Sequence, residues 1–179
     1  NLEAVKSVDS SLNCGVKIFM GASTGNMLVD DQTTLEGIFA ATDLLVATHC
    51  ENTPMILAAE AAAAQKWGDE VPFSEHPNIR SEEACYASSS LAVSLAKKFG
   101  TKLHVLHLTT AKEMELFEVG PLENKHITAE ACVHHLFFSA DDYEQRGAFI
   151  KCNPAIKTAE DRAALLKAVV DDRIDVIAT

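Results

Sequence analysis

Five short apolar runs, each separated from the next by segments of helical character, constrain this chain more than any other feature. The runs are GVKIFM (15–20), LLVATHC (44–50), KLHVLHL (102–108), HITAEAC (126–132) and IDVIAT (174–179). Between them lie TTLEGIFAAT (33–42), TPMILAAEAAAAQKWG (53–68), SEEACYASSSLAVSLAKKFG (81–100), TAKEMELFEVG (110–120) and TAEDRAALLKAVVDD (158–172). Strands joined by helices are carried back to the same end each time, so they pair in parallel. Thr158 with Asp161 approaches a capping box, and Ser81 and Gly100 bracket a helix from N-cap to C-cap.

An open doubly wound sheet and part of a (β/α)8 barrel both fit this order. A nucleotide-binding sheet calls for a glycine-rich turn after its first strand, and GASTGN at 21–26 matches neither G-x-G-x-x-G nor the P-loop spacing. The expected fold is therefore α/β, part of a (β/α)8 TIM-type barrel, with residues 1–179 forming one partial barrel domain.

Composition narrows the function classes. The 179 residues, 47% hydrophobic and 23% charged, suit one globular unit with a real core. Fifteen basic against 26 acidic residues give a net charge of -11, so no nucleic acid partner is expected. Five cysteines without a CxxC pair point to a reducing compartment, with the cytoplasm as the expected location. The most apolar helical run, 55–64, is too short to span a bilayer and contains Glu60, and the opening residues show no basic-then-apolar pattern. Neither membrane nor export is expected. The chain opens without an initiator methionine and stops on an apolar run, so a longer protein is the expectation.

Lys17 stands in the middle of an otherwise apolar strand. Side chains alternate along a strand, so Val16, Ile18 and Met20 face one way and Lys17 and Phe19 the other. Lys17 either snorkels its ammonium to water or is buried with a role, and a buried lysine loses its proton or gains a partner. In barrels the reactive groups sit at the C-terminal ends of strands, where His49, His107 and Glu130 also fall. His104 and His107 are three apart, so in one strand at most one of them points inward, and His107 is the better placed. Imidazoles are good zinc ligands, whereas an ammonium has no lone pair; a neutral lysine amine can add carbon dioxide to give an anionic carbamate.

The blocks VKIFMGASTG, ATHCEN, HVLHLTTAKE, TAEACVHHLFF and KCNPAIKTAEDRAALL resemble, in order, successive blocks of the dihydroorotases within the cyclic amidohydrolases. The resemblance implies reversible, zinc-dependent interconversion of dihydroorotate and N-carbamoyl-aspartate in pyrimidine synthesis. It implies two zinc ions bridged by a carboxylated Lys17, with His49 and His107 as metal ligands and Asn153 beside the substrate ring. It also implies that the chain spans about strands four to eight of the barrel. The first barrel strands, with their H-x-H pair, and the C-terminal part are then absent, as is the arginine that grips the substrate carboxylate. No catalytic residue lies within the chain on this reading, because the general-base aspartate is expected just after Thr179, and the chain alone is expected to be inactive.

Rival readings are a hydantoinase or allantoinase using the same metals on another ring, and a non-catalytic scaffold, against which Lys17, His49 and His107 all survive. His134 and His135 are read as ordering a loop, Cys50 as packing, and Glu130 as either a partner of a ligand or a satisfied inward carboxylate. His76 and His126 carry no signal. The expected partners are a small-molecule substrate and further copies of the chain in a homo-oligomer.

Overall fold

A computed structural model describes residues 2–21 and 27–179. Most of the GASTGN turn lies outside the described residues. Five strands, β1 (Gly15–Phe19), β2 (Leu45–His49), β3 (Leu103–Val105), β4 (Ile127–Cys132) and β5 (Val176–Ala178), form one sheet in the order β1-β2-β3-β4-β5. Every neighbouring pair is parallel. A doubly wound sheet reverses its strand order at a switch point, and this one never does. It is the singly wound order of a barrel wall.

The helices are α1 (Leu2–Lys6), α2 (Gln32–Ala41), α3 (Thr53–Trp67), α4 (His76–Ile79), α5 (Glu82–Phe99), α6 (Val133–Phe137), α7 (Tyr143–Arg146) and α8 (Ala159–Val170). Their ends follow local chemistry. Ser81 accepts a hydrogen bond from the Ala84 amide, Gly100 closes α5 in the left-handed region at φ 71°, and Thr158 and Asp161 form a reciprocal capping box on α8.

Two expectations need correction. The segment 110–120 is not an α-helix; it holds only a 3-10 turn, Lys112–Leu116. The Thr110 hydroxyl donates to buried Glu113 Oε2 at 2.9 Å and accepts from the Glu113 amide at 3.2 Å, local bonds that compete with helical propagation. The run 102–108 is a strand only to Val105. Beyond it the Leu106 amide still bonds Thr48 O and the Leu108 amide bonds Glu130 O, with His107 between them at φ 40°.

The core lies between one face of the sheet and the helices. Ile18, Val46, Leu103, Val105, Ala129 and Ala131 pack against Leu35, Ile38 and Phe39 of α2, Ala92 and Val93 of α5, and Leu165 of α8. Burying that face leaves the opposite one, which carries Lys17, Phe19, His49, His104, Thr128 and Glu130, free to hold polar chemistry.

Candidate active site

Strand register brings the polar side chains together. Lys17 pairs with Ala47, Ala47 with His104 and His104 with Thr128, while Phe19 pairs with His49. Paired residues in a parallel sheet point the same way, so Lys17, His49, His104, Thr128 and Glu130 share one face. His107 joins them from beyond the end of β3: its Nε2 lies 3.1 Å from His49 Nδ1.

The expectation that only one of His104 and His107 can face inward is therefore corrected. Alternation holds only while the backbone stays extended, and the left-handed conformation of His107 breaks it. A non-glycine residue at positive φ is uncommon and strained, and such strain collects at functional sites. His104 fills a different place on the same face, its Nδ1 2.8 Å from Thr128 Oγ1 and its Nε2 3.3 Å from Glu130 Oε2. Glu130 Oε1 accepts from the His107 amide at 3.0 Å. Glu130 thus holds the turn that carries His107 as a hydrogen-bonded, inward carboxylate.

Glu51 and Arg80 belong to the site although sequence reasoning assigned them no role. The Glu51 side chain is fully buried, and its Oε2 lies 2.9 Å from His49 Nε2 and receives Arg80 Nη1 at 2.5 Å. With Nε2 donating to that carboxylate, His49 presents Nδ1 as a lone pair toward His107. The only sequence hint was the acidic residue two positions after His49 in THCE. Gly21 makes room for this loop, because a Cβ there would stand 1.4 Å from Glu51 O.

The electrostatics follow from burial. Desolvation, then the neighbouring His49 and Lys17, push the His107 pKa down to about 3, so its ring is neutral at physiological pH. Lys17 is exposed rather than buried, yet partial desolvation lowers its pKa despite the opposing pull of Cys50 and Glu130. Its Nζ rests 4.8 Å from the centre of the Phe19 ring. Among the described residues, buried His107 Nδ1 and Glu51 Oε1 have no hydrogen-bond partner.

The remaining candidates fall around this centre. Asn153 is exposed and lines a cavity of about 280 Å³ with His76, Arg80 and Lys151. Arg80 and Glu51 connect that cavity to His49. His76, which carried no signal in the sequence, is buried and bonds Cys152 O at 2.9 Å. Cys50 packs in the core and contacts Thr48 Oγ1, as read from its phase. His135 Nε2 lies 3.1 Å from Pro154 O, so it does order the loop containing Asn153.

Similar proteins carry the same region. A dihydroorotase of Halobacterium salinarum is 31% identical over 173 residues, covering 96% of this chain and 38% of that protein. The chain is similar to part of the amidohydrolases that these relatives represent. An allantoinase of Enterococcus faecalis is 27% identical over 171 residues, which cover 91% of this chain and 37% of the relative. The L-hydantoinase of Arthrobacter aurescens superposes with a TM-score of 0.88 at 22% identity, over 99% of this chain and 40% of that structure. The chain thus spans under two-fifths of the length of these curated relatives, and its fold is part of the barrel seen in the hydantoinases. No protein-family model matches it. Among the described residues no helix is long and apolar enough to cross a membrane.

Proposed function

We propose that the protein is a dihydroorotase, opening and closing the cyclic amide of dihydroorotate with zinc held at Lys17, His49 and His107. The observation that carries this reading is the 3.1 Å approach of His49 Nδ1 to His107 Nε2 on the polar face of the sheet. Two nitrogen ligands on one tetrahedral zinc, each at about 2.0–2.1 Å, stand roughly 3.3 Å apart, so the pair fits a shared ion with little movement.

Each residue has a part to play. His107, kept neutral by burial, offers its lone pair across the neutral pH range. Glu51 fixes the tautomer of His49, and Glu130 anchors the His107 turn. The lowered pKa of Lys17 increases the fraction of neutral amine, the form that adds carbon dioxide to become a bridging carbamate. Zinc bound there would polarise the ring carbonyl and make water acidic enough to attack at neutral pH. Asn153, facing the cavity beside Arg80, would contact the ring, with the cytoplasm as the setting and a homo-oligomer as the working form.

Dihydroorotase and allantoinase relatives both support cyclic amide chemistry, and the HHLFF and NPAIK segments support dihydroorotate as the ring. The test is ring opening by the full-length protein, with zinc supplied, on dihydroorotate, a hydantoin and allantoin side by side. Turnover of dihydroorotate in preference to the others is expected. Preference for another ring would move the substrate within the same chemistry, and no turnover on any ring would favour a non-catalytic scaffold.

A further inference from the structure

We propose that Cys132, His134 and His135, at the C-terminal end of β4, form a second cation site for a thiophilic divalent ion such as zinc. It shares no residue with the Lys17, His49 and His107 centre and does not depend on the function proposed for it.

One ligand atom from each of the three side chains, the Cys132 thiol and a ring nitrogen of each histidine, lies within 4.8 Å of the other two. In a tetrahedral site with Zn–S near 2.3 Å and Zn–N near 2.0–2.1 Å, ligand atoms stand roughly 3.3–3.8 Å apart, a closure that small side-chain rotations supply. One thiolate and two imidazoles leave a fourth position open to water or another ligand.

His135 is already arranged as a ligand. It is only 4% exposed, its Nε2 lies 3.1 Å from Pro154 O, and its buried Nδ1 has no hydrogen-bond partner among the described residues. A carbonyl accepts only from an N–H, so the proton sits on Nε2 and Nδ1 keeps its lone pair. Metal-binding histidines characteristically donate their second ring nitrogen to a backbone carbonyl in this way. An orphaned buried acceptor is unfavourable, and a cation would remove that penalty.

The neighbouring residues complete the arrangement. Cys132 is 6% exposed at the end of β4, whereas His134 is half-buried and leaves access from solvent. The His134 and His135 rings lie 4.3 Å apart, centre to centre. Cys152 Sγ, 3.5 Å from His135 Nε2, meets the opposite ring nitrogen and stays outside the ligand set.

The test is titration of the metal-free full-length protein with Co2+, followed by absorbance. A cysteine ligand gives a thiolate-to-cobalt charge-transfer band in the near ultraviolet. Lys17, His49 and His107 include no sulfur, so the band does not arise from that centre, and the cysteine variants assign it among the free thiols. The expected result is a saturable band that Cys132→Ser abolishes, that His134→Gln weakens by at least about tenfold in affinity, and that Cys152→Ser preserves. Should Cys132→Ser fail to fold, the half-buried His134→Gln carries the test. Absence of the band, or full retention of affinity in His134→Gln, would overturn the proposal.

Discussion

At Lys17 the controlling quantity is the population of the neutral amine. A free lysine is almost wholly protonated at pH 7, and desolvation at this position shifts the balance toward the form that reacts with carbon dioxide. Lys17→Ala should therefore lose zinc and activity together in the full-length protein, and a short carboxylic acid should restore part of both. Zinc content unchanged by the substitution would rule out the bridging role. Glu51 would act one step away from the proposed metal, through His49. Glu51→Gln keeps the shape but loses the charge that holds His49 and pairs with Arg80, so zinc affinity should fall by about 10–100-fold, measured by competition with a chelator. Lys17 and His49 were legible from their places in and at the end of strands and from the blocks that carry the resemblance, and the strand register puts them on one face. That His107 joins His104 on this face was not legible, since it depends on a positive φ at His107 that no residue nearby announces. Glu51 escaped because its role lies in a contact with Arg80, 29 positions away.

At the scale of elements, the caps decided most helix ends and were readable from single residues such as Ser81, Gly100 and Thr158. The 110–120 segment failed the same reading because the threonines before Glu113 bind its carboxylate and amide, a tertiary burial that helical periodicity does not reveal. Burial also sets the acid response of the segments ending β3 and starting α6. His107 and His135 both titrate near 3 in the folded chain and near 6.5 when unfolded, so between those values the unfolded state holds more protons. Stability should be intact above about pH 6.5 and decline as the pH falls below it, by on the order of 1 kcal/mol per pH unit for each group. Urea midpoints of the metal-free protein at pH 7 and pH 5 check this, and equal midpoints would refute it.

At the scale of the whole molecule, the sheet is a wall rather than a closed barrel. The outer edge of β5 has no strand partner among the described residues, and that of β1 meets only an isolated bridge from Phe19 to Leu28. Open edges and a polar face without its opposing wall favour association, so residues 1–179 expressed alone should sediment as oligomers or aggregates. A cooperatively melting monomer would contradict that expectation. The strand order was legible from the alternation of runs and helices, whereas the cavity beside Asn153 was not, because it is assembled from segments more than 70 residues apart.

The central claim is that this polar face holds zinc through His107 and not through His104. Its most direct measurement is the zinc content of the purified full-length protein beside its His107→Asn and His104→Asn variants. The account predicts stoichiometric zinc in the parent and in His104→Asn, with loss in His107→Asn. Equal zinc in all three, or loss only in His104→Asn, would contradict it.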